Sequence, residues 1–524
     1  MISPPRTSRF IGTVFLFNIV TYVDKIIVLV LKYIWHRSKG QKSFWSFVRN
    51  KRRKLILTKK LIYDIHDKPK FGQLLVFAFQ QVLAILAATI LVPAIIGNGM
   101  SQSAALFGAG VGTIVYQLFT KFRSPVFLGS SFAFIGSMFA AFGGAASASA
   151  GYTGLIIGAI FAGLVYVAIA LVVKFVGVAW INKLMPTVVI GPTVALIGLS
   201  LAVNAVNDLY AGKVMVDKVD QVIENGVIVD QVTQVSGASV YVTLICGLAT
   251  LLAIFAFSVY GKRMAKLIPF VLGILVGYVV SSIFTVIGIL TDNVALQVIN
   301  FAAFKDMQIF AIPDFAFIEA FKGVKDVDGA FIATIAVAYI PVAFVVFAEH
   351  IADHKNLSTI IDKDLLEDPG LHRTLLGDGV GSIAGAFFGG CPNTTYGESV
   401  GCVAITKNAS VITITTTAIM SMVISFFGPF VTFLSSIPNC VMGGVCVALY
   451  GFIAVSGLKM IQKVDLNKSK NLFVVSAILI PGIGGLSVSF GKVTLTTIAC
   501  ALILGIVTNI LLNIKKTDDD SEEV

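Results

Sequence analysis

The chain of 524 residues is 56% hydrophobic and only 13% charged, and its mean hydropathy of +0.90 lies far above that of a soluble globular protein. The bilayer is therefore its main solvent, which excludes a soluble enzyme, and the net charge of +11 has to be judged by where the basic residues fall relative to apolar spans rather than as a nucleic-acid footprint. Strand-like alternation is not the dominant pattern, against an outer-membrane barrel, while 48 glycines and 40 phenylalanines suit closely packed transmembrane helices.

Residues 1–70 form a basic leader in which Arg49, Lys51, Arg52, Arg53 and Lys54 lie close together. Its apolar stretch from Phe10 to Leu31 is interrupted by Asp24 and Lys25. Each charge would cost roughly 2.5–3.5 kcal/mol near a bilayer centre, so the stretch reads as an interfacial helix rather than a span. No small-residue cleavage site follows it.

From Leu74 onward the pattern predicts an all-α polytopic membrane protein with fourteen hydrophobic spans, centred near residues 85, 111, 133, 163, 196, 249, 278, 340, 380, 400, 421, 448, 477 and 502. Counting loops from a cytoplasmic leader puts Lys121, Arg123, Lys174, Lys183, Lys262, Arg263, Lys266, Lys355, Lys363, Arg373, Lys407, Lys463 and the tail Lys515 and Lys516 inside. The loop Asp208 to Ala238 falls outside and carries five acids against two lysines, as the positive-inside rule requires. This loop and Thr291 to Gly329 are expected to hold small hairpins. The six cysteines read as small apolar fillers, and neither they nor the five histidines show a metal-ligand spacing, so no cofactor or metal is expected.

An internal repeat relates the halves. Phe107 to Ile114 in span two matches Leu376 to Ile383 in span nine, Pro186 with Gly191 matches Pro438 with Gly443, and Pro125 opening span three matches Pro392 opening span ten. A repeat unit of seven spans is odd, so the halves run in opposite directions, the inverted repeat of a secondary transporter.

In such folds the solute binds near the midplane where the interrupted spans of the two halves meet. Spans three and ten qualify: each opens on Pro and reaches Gly among small polar residues, Leu128-Gly129-Ser130-Ser131-Phe132 and Thr394-Thr395-Tyr396-Gly397-Glu398. A short extended segment breaking into a half-helix would turn backbone N–H groups and a positive dipole end toward the cavity. Glu349 and Asp353 share a helix face in span eight, and Glu398 supplies a third carboxylate, so at least one is expected to hold a proton near neutral pH. For Asp353 a solvated helix end beside Lys355 is an equal reading. Gln80 and Gln81 in span one either bond neighbouring helices or, the preferred reading for Gln81, face the cavity. His350 and His354 follow the acids in the helix pattern but point to faces neighbouring theirs and lack metal partners, and His372 lies at the inner surface.

These residues resemble the nucleobase-ascorbate transporter family, closest to its bacterial uracil permeases, over about Phe71 to Asn513. The resemblance rests on Ala88 to Pro93, Leu128 to Ile135, Glu349-His350-Ile351, Asp368 to Arg373 and Pro392 to Glu398. It implies a core domain (residues 71–180 and 329–436) moving against a gate domain (181–328 and 437–513), with 514–524 an acidic cytoplasmic tail and a homodimer possible. Carried over, Glu349 and Glu398 would hydrogen-bond the ring N–H groups of a pyrimidine, the backbones of Phe132 and Gly397 its carbonyls, with Ala88 and Tyr396 packing nearby. Asp353 and Gln81 would stand on the proton route with the two glutamates.

Two departures stand out: the family usually has His where this chain has Gln81, and Asn where it has Ser399. The implied function is proton-coupled import of uracil across the cytoplasmic membrane by alternating access, with both termini inside and no nucleic acid as partner. A purine permease of the same family is the nearest alternative. An anion transporter or channel of similar architecture is a distant one, because no basic residue lies within either motif. A membrane enzyme is disfavoured, since no nucleophile and base are paired.

Overall fold

The computed structural model describes residues 61–177, 186–224, 227–262, 264–305, 307–490 and 493–514. The expected leader helix, Lys183, Arg263 and the tail lie outside the described residues.

The elements run α1 (Phe71–Ile96), α2 (Gln102–Phe119), β1 (Leu128–Ser130), a 3-10 turn (Phe132–Phe134), α3 (Ile135–Gly143), α4 (Ala148–Val176), α5 (Thr187–Ser200) and α6 (Ala202–Asp208). There follow β2 (Met215–Glu224), β3 (Val227–Ser236), α7 (Val240–Tyr260), α8 (Pro269–Leu290), α9 (Ala316–Gly323) and α10 (Gly329–Ile361). The second half continues with α11 (Leu371–Gly389), β4 (Asn393–Thr395), α12 (Gly397–Thr406), α13 (Val411–Ile424), α14 (Gly428–Ser436), α15 (Asn439–Ile461), α16 (Ser469–Ile483), β5 (Val488–Phe490), β6 (Val493–Leu495) and α17 (Thr497–Leu512).

Apolar runs fold as helices because only there are all backbone polar groups satisfied within the segment. Side chains close the open amides at the starts: Ser101 accepts from Ala104 N, Ser147 from Ala150 N and Asp328 from Phe331 N at 2.7 Å. Among the described residues seven helices are long and apolar enough to cross a membrane, from Phe71–Ile96 to Asn439–Ile461, and four shorter apolar helices accompany them. Thirteen of the fourteen expected centres fall on α-helices and the one near residue 133 on the Phe132–Phe134 3-10 turn, but that measure admits seven. The glycines and polar residues of α2 and α11 lower their apolarity, and α12 has only 10 residues.

The fold is mostly helical rather than all-α, since among the described residues three two-stranded elements pair antiparallel, β1 with β4, β2 with β3 and β5 with β6. The β2–β3 hairpin is the one expected between Asp208 and Ala238. No hairpin forms between Thr291 and Gly329 among the described residues: 3-10 turns and α9 fill that segment, and only an isolated bridge joins Phe310 to Phe427.

Packing sorts the helices into two groups. In one, α11 lies on α2 and α4, α13 on α1 and α2, and α10 on α4; in the other, α15 lies on α5 and α7, α7 on α8, and α16 on α5 and α17. The segments that match in sequence meet each other directly. A methyl on Gly112 of α2 would stand 2.7 Å from the Gly381 carbonyl of α11, and one on Gly381 the same distance from the Gly112 carbonyl. Likewise Gly191 near the start of α5 lies against Ile461 at the end of α15, while Gly443 near the start of α15 lies against Leu209 just past α6. Pro186 and Pro438 cap the N-termini of α5 and α15.

One end of the bundle gathers basic residues. Arg123 pairs with Asp368 at 3.0 Å, Lys363 with Asp64 at 2.8 Å, and the Lys407 carbonyl accepts from Ile62 N at 2.7 Å.

Candidate functional site

Two chain breaks build the site. Leu128, Gly129 and Ser130 pair with Thr395, Thr394 and Asn393 in a buried antiparallel ladder, extended by Ser131 N to Pro392 O at 2.9 Å and Tyr396 N to Phe127 O at 3.2 Å. Beyond the ladder one strand turns into the Phe132 3-10 turn and α3, the other into α12. Gly390, with φ +73° in the left-handed region that favours glycine, makes the turn from α11 toward β4. The ladder is locked from outside: Tyr396 Oη donates to Ser130 O at 2.9 Å, its ring lying where any side chain on Gly129 would go, and Asn393 Nδ2 donates to Gly108 O at 3.2 Å.

A cavity of about 420 Å³ opens beside the ladder. One wall is polar and includes Ser130, Ser131, Phe132, Glu349, Asp353 and Thr394 to Glu398; the other is apolar, from Ile190, Val194 and Ile197 of α5 and Leu449, Phe452 and Ile453 of α15. The wall contains no lysine or arginine among the described residues. Glu349 is accessible yet lies deep among protein atoms, because what it meets is the cavity. Asp353 accepts a hydrogen bond from Thr395 Oγ1 at 2.7 Å, tying α10 to β4. Glu398 sits in the first turn of α12, where the helix dipole favours a negative charge. The hydroxyls of Ser130, Ser131 and Thr394 are buried with no protein partner among the described residues.

The cavity thus brings together six expected site residues, Glu349, Asp353, Glu398, Gly397, Phe132 and Tyr396. Ala88 is buried in α1 but outside the lining. Gln81 does not face the cavity: it is 3% exposed, and its Nε2 donates to the Ser399 hydroxyl and, at 3.4 Å, to the Ser399 carbonyl. The two departures from the family pattern are therefore partners of one another, a polar bond between α1 and α12. A residue facing a helix so closely packed has no room to reach past it.

Behind the acids lies a polar network that sequence reasoning missed. His350 and His354 are fully buried and stacked, ring centroids 4.0 Å apart. His350 Nδ1 lies 2.6 Å from Asp378 Oδ2 and its Nε2 lies 3.0 Å from Thr374 Oγ1. His354 Nε2 lies 2.7 Å from Tyr116 Oη, itself 2.8 Å from Ser124 Oγ. The available signal was Asp378 itself, an acid in the glycine-rich segment Leu376 to Ile383, matched by Ala109 in the first half.

The model of the Permease family, the xanthine/uracil permeases, matches residues 72–491. The uracil permease of Bacillus subtilis (strain 168) is 36% identical over 472 residues, covering 89% of this chain and 99% of that protein. The uracil permease of Bacillus caldolyticus is 36% identical over 456 residues, 86% of this chain and 95% of that protein. Among solved structures, the transmembrane domain of a cyanobacterium bicarbonate transporter, BicA, superposes with a TM-score of 0.55 at 14% identity, covering 85% of this chain and 100% of that one, a likeness of fold alone. With the model match spanning most of the chain and the relatives aligned almost end to end, the chain belongs to the xanthine/uracil permease family, the nucleobase-ascorbate transporters, and is a multi-pass membrane transporter, not an enzyme.

Proposed function

We propose that the protein imports uracil together with protons across the cell membrane. The observation that carries this reading is the cavity wall on which Glu349, Asp353 and Glu398 stand beside the starts of two half-helices, with no basic residue among them. A uracil ring offers two N–H donors and two carbonyl acceptors. The glutamates accept from the former; the backbones of Phe132 and Gly397 and the orphaned hydroxyls of Ser130, Ser131 and Thr394 serve the latter. A volume of about 420 Å³ suits a small heterocycle. The three acids cannot all be ionised at close quarters in a low dielectric, and a shared proton resolves the conflict and couples substrate to protons. An anionic substrate would meet repulsion in this cavity.

Fourteen membrane-embedded segments arranged as inverted repeats of seven are the architecture that goes with this function. The glycine contacts of α2 on α11, those of α5 on α15 and the β1–β4 ladder support it, since each joins an element to its counterpart in the other half. The two packing groups support a core (residues 71–180 and 329–436) rocking against a gate (181–328 and 437–513) for alternating access, with α9, which falls within the gate bounds by sequence, packing on α4 of the core instead. The apolar wall includes Ile190 in the first turn of α5 and Met460 in the last turn of α15, so the cavity faces the basic end. By the positive-inside rule that end, with both termini, is cytoplasmic. In vesicles, uptake of labelled uracil driven by an inward proton gradient, abolished by a protonophore and competed by uracil but not xanthine, tests the reading. Uptake of xanthine instead would move the assignment to the purine permeases.

A further inference from the structure

A second cavity, of about 350 Å³, lies at the end of the bundle opposite the basic residues. Helix α2 fixes that placement: it begins at this cavity with Gln102 and ends at Phe119, close to Arg123. Both packing groups build the walls, one through the last turn of α1 and the start of α2, the other through the end of α6 and the start of α15. Leu91 of α1 and Met442 of α15 give it an apolar floor. Met442 precedes Leu449 of the substrate cavity by seven residues on α15, so about 10 Å of helix separates the two cavities. Val445 and Cys446, both fully buried, occupy that interval.

Around the floor stand polar side chains with bonding capacity to spare. Gln102, Asp208, Lys213, Asp314 and Asn439 line the cavity, and none makes a side-chain hydrogen bond or ion pair within the protein among the described residues. Gln102 and Asp208 are half-buried, where a polar group left unmatched costs free energy. Their chemistry describes what would match them. The Asp208 carboxylate only accepts, the Lys213 ammonium only donates, and the carboxamides of Gln102 and Asn439 do both. A planar neutral ring with an N–H between two carbonyls uses all of these, and the volume is close to the 420 Å³ of the substrate cavity. A bare cation would leave Lys213 facing a like charge, and no group of described His, Cys, Asp or Glu side chains is arranged to hold a metal ion.

We propose that this cavity is an outer binding site for the solute class the protein carries, small neutral rings bearing an imide, occupied at the outer entrance before the solute passes the apolar floor. The proposal rests on the uracil uptake set out above. Asp208 accepts the ring N–H, Lys213 donates to one carbonyl and the Asn439 carboxamide to the other. The site forms between the two packing groups, so their movement closes it from outside as the floor opens toward Glu349 and Glu398.

The six cysteines are at most 6% exposed, so the chain offers a quiet background for thiol labelling. Ser435 of α14 lines the outer cavity, is exposed, and donates its hydroxyl to Thr432 O within its own helix, so Ser435→Cys places a reactive thiol at the site without removing a contact to another element. In right-side-out vesicles, uracil should slow its modification by a membrane-impermeant thiol reagent. The uracil concentration for half protection should stay within about twofold when Glu398→Gln is added, as for sites that act independently. Asp208→Asn should raise it at least about tenfold, the loss of one charge-assisted hydrogen bond. No protection by uracil, protection by sodium chloride alone, or half protection that moves at least about tenfold with Glu398→Gln overturns the proposal. If Asp208→Asn is not recovered folded, Asn439→Leu makes the same comparison, and unchanged protection there overturns it too. Protection with no uracil uptake by the wild type would instead refute the transport reading and leave the outer site standing.

Discussion

Replacing Ser399 by alanine removes the hydroxyl that Gln81 Nε2 bonds, and the Gln81 amide, 3% exposed, has only the Ser399 carbonyl at 3.4 Å to turn to. An unsatisfied buried donor costs about 1–3 kcal/mol in a soluble core. Between helices in a membrane, couplings measured by double-mutant cycles average about 0.6 kcal/mol with a maximum near 1.7, because the unfolded chain in the bilayer also finds partners. We therefore expect Ser399→Ala and Gln81→Leu each to destabilise by about 1 kcal/mol, with a coupling of about 0.6–1.7 kcal/mol between them. Because Ser399 follows Glu398 in the first turn of α12, uracil affinity should fall in Ser399→Ala and partly recover in the double variant. Reversible unfolding in mixed detergent, followed by circular dichroism, gives the four corners of the cycle. Strictly additive effects would refute the pairing and return Gln81 to the question of what it faces.

Three further outcomes follow from the same geometry. Gly129→Ala drives a methyl into the Tyr396 ring and should cost about 1–3 kcal/mol by overpacking, seen as lowered thermal stability with lost uracil binding. For Asp353→Asn we expect the pH dependence of uptake to flatten while binding persists, read by comparing uptake with equilibrium binding at two pH values. Outside the membrane, burial pushes the Asp64 carboxyl up, but the Lys363 ammonium and the Ile65 amide pull it down by more, so it lies below its ordinary value of 3.8. A depressed folded pKa gives stability that is present above the unfolded value and lost as the pH falls through the folded one. Lys363→Ala should thus cost less than about 1 kcal/mol at neutral pH, both side chains being nearly half exposed, and the difference should vanish once the pH falls below the folded Asp64 pKa, or in high salt.

How much of the molecule is legible in its sequence depends on whether a residue's role is local. Glu398 was legible because an acid just after a Pro- and Gly-rich break between apolar runs fits a cavity wall and little else, and the pairing of spans three and ten followed from their matched openings. Gly112 and Gly381, which occupy matching places in the two similar segments, touch each other, and glycine recurs where backbones come this close. Gln81 was misread because its partner is 318 residues away, and a polar side chain on an apolar helix looks the same whether it meets a cavity or a serine. Helix geometry alone places His350 and His354 but says nothing of Asp378 on α11 or Tyr116 on α2. The strands β5 and β6 escaped notice because two three-residue segments carry no usable period.

The most direct test of the central claim is equilibrium binding of labelled uracil to purified wild type and to Glu398→Gln. A charge-assisted hydrogen bond to a ring N–H is worth about 1.5–3 kcal/mol, so the variant should bind at least about tenfold more weakly while unfolding at the wild-type temperature. Wild-type affinity in Glu398→Gln would contradict the account.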